Sequence, residues 1–245
     1  MTRKCLIFCW AIFLTMALFS KNSEQEVFPE NNYAVVPYNT EGVLSKFYEH
    51  SKSVNISKLG IRFKIAQTWQ KNGIAGVVWE AADVLANFMV EKYDFHGKKV
   101  LELGSGTGLV GMVAAYMGAH VTLTDLDKFL PILEENIELN MNLIKTGSKN
   151  GTVKVSELKW GEKLAKFDPT YDFVLGADII YSEDLFPALL DTLCYFHGGG
   201  SKIILGSKLR YDRVEVFILK LNQKFRTVKE VMRCEKTQVV IYECS

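Results

Sequence analysis

The chain has 245 residues, a formal net charge of +1 and no run of lysine and arginine residues. Its length suits one domain with a full hydrophobic core, and its charge balance lacks the basic footprint of a nucleic-acid-binding protein, so no nucleic-acid partner is expected. Five cysteines, none in a Cys-x-x-Cys pair, indicate reduced thiols and favour a cytoplasmic location. We expect a monomer.

An apolar run at 5–19 follows Arg3 and Lys4 and precedes polar residues at 20–25. This order is typical of a secretory signal or a short membrane anchor, although a spanning helix needs roughly 20 apolar residues. Membrane association or secretion through 5–19 is therefore one alternative, and an extension without a targeting role is the other. The sequence predicts a hydrophobic extension and linker at 1–32 and a single domain at 33–245.

Hydrophobic periodicity predicts the elements of this domain in chain order. A hairpin within 47–69, turning at Leu59 and Gly60, is expected to cover one edge of the fold, and a helix over 81–88 follows it. Strands are predicted at 99–103, 120–124, 153–158, 173–176 and 202–206, and helices at 109–117, 128–142, 184–196 and 213–224. Two last strands, at 227–232 and 238–243, form an antiparallel pair. The alternation predicts an α/β fold, a mostly parallel sheet with helices on both faces.

The sequence ELGSGTG at 102–108 joins a predicted strand to a predicted helix. Glycine has no Cβ and tolerates positive φ, so such a turn lets the backbone approach a ligand at the carboxyl end of the sheet. A tight turn without a ligand is one alternative. A dinucleotide site is another, because residues 106–111 also fit G-x-G-x-x-G and Asp125 follows at a suitable distance.

Two carboxylates near this loop favour a positively charged cofactor over a dinucleotide. Glu102 precedes the first glycine by two residues, where it would repel a pyrophosphate but attract a sulfonium and an ammonium group. Asp125 ends the second strand and can accept hydrogen bonds from ribose hydroxyls, a role that both cofactor types share. A helix N-cap is the alternative for Asp125. S-adenosylmethionine is the expected cofactor.

Four blocks carry a resemblance to a known family: VVWEAA at 77–82, ELGSGTG at 102–108, LKWG at 158–161 and GADIIY at 176–181. They resemble class I S-adenosylmethionine methyltransferases, which have a Rossmann-like seven-stranded sheet, and among these the methyltransferase-like protein-lysine methyltransferases. The likeness extends over about 33–244. It is strongest to the member that methylates heat-shock chaperones of the seventy-kilodalton class, in which residues 1–32 have no counterpart.

The resemblance implies a protein-lysine N-methyltransferase whose protein partner is a chaperone. The residues expected to line the cofactor are Trp79, Glu102, Gly104, Ser105, Gly106, Asp125, Trp160 and Ala177. Trp160 would lie beside the adenine and Ala177 at the end of the fourth strand. Packing in the core is the alternative for both tryptophans.

Asp178 and Tyr181 are the predicted catalytic residues. Asp178 follows the fourth strand, at the carboxyl edge where open α/β sheets bind ligands, and would orient the nitrogen of a substrate lysine toward the methyl group. Tyr181 would close the aromatic wall of the lysine channel, and a helix N-cap is the alternative for Asp178. The segment DIIY at 178–181 lacks the Asn-Pro-Pro-Tyr of enzymes that methylate planar nitrogens.

Two other functions are compatible with the same loop. One is an NAD-type oxidoreductase on a similar fold, and the other is a non-catalytic module that keeps the cofactor fold but only holds a partner. Four scattered histidines offer no pair at metal-ligand spacing, so no metal is expected.

Overall fold

The computed structural model describes residues 50–147, 150–210 and 212–245. The apolar run at 5–19 and the boundary at residue 33 lie outside these ranges and stay predictions. Within the described ranges, no single helix has the length and apolar character to cross a membrane, although the bent pair Trp69–Gly76 and Glu80–Lys92 passes by length and composition alone.

The described residues form two groups of strands and six helices. The strands are β1 (Ser51–Ile56), β2 (Ile61–Ala66), β3 (Lys99–Leu103), β4 (His120–Asp125), β5 (Thr152–Glu157), β6 (Phe173–Ala177), β7 (Lys202–Lys208), β8 (Val228–Cys234) and β9 (Val239–Cys244). The helices are α1 (Trp69–Asn72), α2 (Glu80–Lys92), α3 (Leu109–Tyr116), α4 (Leu130–Thr146), α5 (Phe186–Gly198) and α6 (Arg213–Asn222). All the elements predicted from residue 47 onward are present.

The main sheet has seven strands in the order β5-β4-β3-β6-β7-β9-β8. The first five are parallel, and β9 runs antiparallel between β7 and β8. The predicted α/β class and the antiparallel C-terminal pair are confirmed. The chain leaves β3 toward β4 and later returns on the other side of β3 as β6. This reversal creates a crevice at the carboxyl ends of β3 and β6, the place where such sheets bind ligands.

The core lies on both faces of this sheet because successive strand residues point to opposite sides. In β3, Val100 belongs to the cluster that α2, α3 and α4 cover, whereas Leu101 and Leu103 belong to the cluster under α5 and α6. In β7, Ile204 joins the first cluster and Ile203 the second. Helices on both faces leave the carboxyl ends of the strands as the accessible edge.

The hairpin of β1 and β2 forms a sheet of its own. Two asparagines of α4 bind the backbone of β2: Asn136 Oδ1 accepts the N–H of Ala66 at 2.7 Å, and Asn140 Oδ1 accepts the N–H of Lys64 at 3.0 Å. The expectation that the hairpin covers an edge of the fold was wrong. It packs across α4 because the two amides provide the hydrogen bonds that a neighbouring strand would otherwise make.

Asn136 also reaches the glycine loop, since its Nδ2 donates to the carbonyl oxygen of Thr107 at 3.1 Å. The side chain is fully buried. We predict that Asn136→Ala lowers the free energy of unfolding by about 2–4 kcal/mol, because it leaves buried backbone groups of Ala66 and Thr107 without partners. Urea unfolding measures this loss.

The matched control for this prediction is Asn142→Ala, on the same helix but exposed. We expect it to change the stability by less than about 0.5 kcal/mol. Equal losses in the two variants would show that the amide bridge does not hold the hairpin.

Candidate active site

The turn between β3 and α3 adopts positive φ at Gly104 and Gly106. At Gly106, where φ is +53°, an added Cβ would lie 3.1 Å from the carbonyl oxygen of Ala75. At Gly104, where φ is +58°, it would lie 3.0 Å from Ile179 and 3.1 Å from the ring of Trp160. Both positions need glycine for conformation and for space. The loop therefore presents bare backbone at the crevice between β3 and β6.

Glu102 lies behind this loop. Its side chain is buried, at 2% exposure, and its Oε2 accepts the N–H of Gly111 at 2.8 Å. Burial raises the pKa of Glu102 to about 8, so the group carries little negative charge at neutral pH and gives weak electrostatic support to a cationic ligand. The geometry makes Glu102 an anchor of α3 on β3, and its contact with the cofactor stays a prediction.

Asp125 ends β4 and faces the glycine loop. Its Oδ2 accepts the N–H of Gly106 at 2.8 Å, and its Oδ1 accepts the N–H of Leu126 at 2.8 Å. The N-cap alternative was wrong, because Leu126 occupies the cap position of the following 3-10 turn and no side chain caps it. Burial raises the pKa of Asp125 above its ordinary value. Each carboxylate oxygen keeps a second lone pair that could accept a ribose hydroxyl, so the residue fits the predicted cofactor.

Two further predicted cofactor residues are Ser105, within the loop, and Ala177, at a strand end beside it. Ser105 is buried, and its Oγ accepts the N–H of Thr124 at 3.0 Å, which ties the loop to β4. Ala177 is the last residue of β6 and lies opposite Gly206 of β7. Both border the crevice, and their contacts with a cofactor stay predictions.

Trp160 and Tyr181 form an aromatic wall beside Gly104. Their ring centroids are 6.2 Å apart, and Trp160 is half-buried at the rim of the core rather than inside it. Tyr181 is 41% exposed. Its partial burial and the Asp125 carboxylate raise the pKa of the phenol. The structure thus brings a predicted cofactor residue and a predicted catalytic residue together.

Asp178 follows β6 directly, with φ of +56° in the left-handed region that non-glycine residues seldom adopt. Its side chain is only 8% exposed. Oδ1 accepts the N–H of Lys208 at 3.0 Å, and Oδ2 accepts an N–H of Arg210 at 2.9 Å. Its N-cap alternative was also wrong, because the partners are the last residue of β7 and the second residue after that strand.

Sequence reasoning missed a group of charged residues around Asp178. The Arg210 guanidinium lies 5.2 Å from the ring of Trp79, and Lys208 forms an ion pair with Glu80. Trp79 donates from Nε1 to the carbonyl oxygen of Ile74 at 2.8 Å. It therefore lies beside the Asp178 ion pair, and its predicted contact with the cofactor stays untested. The position of the two cations in the sequence could have revealed them. Lys208 and Arg210 follow the predicted strand 202–206, and residues that follow parallel neighbouring strands lie at the same carboxyl edge of the sheet.

A family model described as lysine methyltransferase matches residues 58–224. The chain belongs to the lysine methyltransferase family. Protein N-lysine methyltransferase METTL21A of Danio rerio is 42% identical over 213 residues, 85% of this chain and 94% of the relative. EEF1A lysine methyltransferase 3 of Xenopus tropicalis is 44% identical over 155 residues, 62% of this chain and 66% of the relative. The resemblance that the four sequence blocks indicated is confirmed.

Solved structures support the fold. A 16S rRNA methyltransferase of T. thermophilus covers 80% of this chain and 50% of its own, with a TM-score of 0.57 and 18% identity. A precorrin-6y methyltransferase of Geobacter metallireducens covers 74% of this chain and 92% of its own, with a TM-score of 0.53 and 13% identity. At these identities the likeness concerns the architecture alone.

The family assignment decides against the oxidoreductase alternative that the G-x-G-x-x-G spacing had left open. In the part of the chain that the structure describes, no group of three or more His, Cys, Asp or Glu side chains could hold a metal ion. The predicted site residues at this edge of the sheet are the glycine loop, the carboxylates of Asp125 and Asp178, and the rings of Trp160 and Tyr181.

The raised pKa of Glu102 predicts a specific pH dependence of stability. The ordinary value of 4.5 applies in the unfolded chain, and the folded value is about 8. Between these values the folded state binds more protons, so stability falls as pH rises. We predict that the free energy of unfolding of the wild type, relative to that of Glu102→Gln, decreases from pH 5 to pH 8.5. Urea unfolding of both proteins across this range tests it, and a pH-independent difference would contradict the buried neutral carboxyl.

Proposed function

We propose that this lysine methyltransferase transfers a methyl group from S-adenosylmethionine to a lysine of a seventy-kilodalton heat-shock chaperone, with Asp178 and Tyr181 at the acceptor nitrogen. The observation that carries the proposal is the placement of the Asp178 carboxylate after β6. There it lies at the carboxyl edge of the strand next to β3, the same edge that carries the glycine loop and the aromatic pair Trp160–Tyr181. These are the parts that one-step transfer to an amine needs.

Binding of the cofactor uses the loop side of the crevice. Its adenosyl part would lie against the backbone of Gly104 and Gly106, Asp125 would accept hydrogen bonds from the ribose, and Trp160 would border the adenine. S-adenosylhomocysteine or S-adenosylmethionine is named in solved methyltransferases that share this architecture. When bound, the cofactor supplies a methyl group on a positively charged sulfur, which needs no further activation by the protein.

The acceptor side aligns a free amine. The lysine nitrogen contributes a lone pair to the new N–C bond, the S–C bond breaks, and its electron pair stays on sulfur. Asp178 holds the nitrogen by a hydrogen bond, and the ring of Tyr181 walls the apolar stem of the lysine. Catalysis in such a site comes mainly from alignment, because no covalent intermediate is required.

Asp178→Asn tests this assignment, since it keeps the size of the side chain and removes its charge. We expect turnover to fall by about 10² or more, while calorimetry finds almost unchanged affinity for S-adenosylhomocysteine. Tyr181→Phe keeps the ring and should be milder. A melting temperature close to that of the wild type would show that the variant is folded. Full lysine methylation by Asp178→Asn would contradict the catalytic role of Asp178. Loss of partner binding with unchanged methylation would favour a non-catalytic module that only holds its partner.

The identity of the protein substrate has two candidates. The sequence blocks resemble the chaperone-modifying member of the family, whereas one relative is named for a lysine of elongation factor EEF1A. EEF1A lysine methyltransferase 3 matches 62% of this chain in its Xenopus tropicalis form and 79% in its Mus musculus form, and METTL21A matches 85%. Our choice of the chaperone therefore rests on the resemblance of the sequence blocks.

Incubation with labelled S-adenosylmethionine separates the two candidates. We expect the label on a lysine of the purified seventy-kilodalton chaperone, located by mass spectrometry, and at least about tenfold less on purified elongation factor in the same assay. More label on the elongation factor than on the chaperone would identify the elongation factor as the substrate. Label on glutamine, or on small molecules alone, would reject both substrates.

A further inference from the structure

Asp178 is not an isolated carboxylate. One oxygen accepts the backbone N–H of Lys208, and the other accepts an N–H of the Arg210 guanidinium at 2.9 Å. The Arg210 side chain is 28% exposed and also lies over the ring of Trp79. The ion pair is therefore partly shielded from water and held from two sides, at the position proposed for the acceptor nitrogen.

This pairing bears on a conflict in the chemistry of lysine methylation. The nucleophile is the free amine, but a free lysine has a pKa near 10.4 and is protonated at neutral pH. A lone carboxylate within about 4–6 Å would favour the ammonium form still further. The residue that orients the nitrogen would thus also keep it from reacting, unless a positive charge offsets the carboxylate.

We infer that Arg210 is a positioning residue that offsets the charge of Asp178, so that the substrate lysine loses its proton more readily at the acceptor site. The inference rests on the proposed function, because it assumes that a lysine nitrogen binds at Asp178. The proton leaves to water before methyl transfer.

The neighbouring elements carry further charged or titratable groups, namely Glu80 at the start of α2, Lys208 at the end of β7, Tyr181 after β6, Arg213 at the start of α6 and Asp125 at the end of β4. Glu80 and Lys208 form an ion pair with each other. An N–H of Arg213 is donated to the backbone carbonyl of Tyr181. Asp125 binds backbone N–H groups of the glycine loop. Among the residues that the structure describes, Arg210 is thus the cation that pairs with the carboxylate of Asp178 itself.

The pH dependence of kcat, measured at saturating substrate so that it reports the bound lysine, tests the inference with the full chain and the protein lysine that the wild type labels in a cell extract. The rate should rise with pH as the substrate lysine loses its proton. In Arg210→Gln the midpoint of this rise should move to higher pH by about one unit, because the carboxylate is left uncompensated and the site is partly exposed. The variant should then be about tenfold slower on the acidic side and approach the wild-type rate above both midpoints.

Three further variants exclude a merely structural role. Arg210→Lys keeps the charge and should keep the wild-type midpoint. The double variant Asp178→Asn with Arg210→Gln removes both charges and should return the midpoint close to that of the wild type, although its turnover is low. The matched control is Arg233→Gln, which breaks an exposed ion pair with Glu230 on β8, two strands away from β7, and should shift nothing.

The outcomes distinguish this inference from the proposed function. If the wild type methylates a protein lysine but Arg210→Gln lowers the rate by the same factor at every pH, charge compensation is wrong and the lysine methyltransferase function stands. A midpoint that moves to lower pH would also overturn it. If the wild type labels no protein lysine at any pH, both proposals fail.

Discussion

The contact on which the site depends lies beneath it, where α3 meets β3 and β4. The buried carboxyl of Glu102 accepts the N–H of Gly111, and a Cβ at that glycine would lie 2.2 Å from the side chain of Leu123. The helix can approach the sheet this closely only without a side chain at that position. Because α3 begins at Leu109, directly after the loop, this packing fixes where the glycine backbone meets the crevice.

A second constraint reaches the loop from the side. The amide of Asn136 binds both the edge of β2 and the carbonyl oxygen of Thr107, so the hairpin and the loop share one buried side chain. The chain after β2 is tied in turn, because the side-chain oxygen of Gln67 accepts the N–H of Val78 at 2.9 Å. These hydrogen bonds join segments that are separated in sequence. They hold the start of α2, where Trp79 and Glu80 lie, next to the acceptor side.

The sequence predicted the central sheet well because its signals are local. Strand β3 was placed at 99–103, as observed, since the short strand-forming segment KVLEL ends there at a glycine. Strand β7 was ended too early, at Gly206. The strand continues through that glycine to Lys208. A Cβ at Gly206 would lie 3.2 Å from Leu85 of α2, so the glycine marks close packing of the helix on the strand rather than a turn. Two residues of the strand were missed for this reason, and Lys208 was among them.

The partners of Asp178 were beyond local reasoning for a related cause. Its ion pair joins residues 32 positions apart, and only the parallel register of β6 with β7 brings them together. The same register explains why the end of β7 supplies two cations: Lys208 pairs with a carboxylate on α2 and Arg210 with the one after β6. Glu80 and Asp178 are then each balanced by a cation from one strand end. A nearly neutral acceptor side is what a free amine requires, because a net negative site would retain its proton and a net positive one would repel a lysine before it could bind.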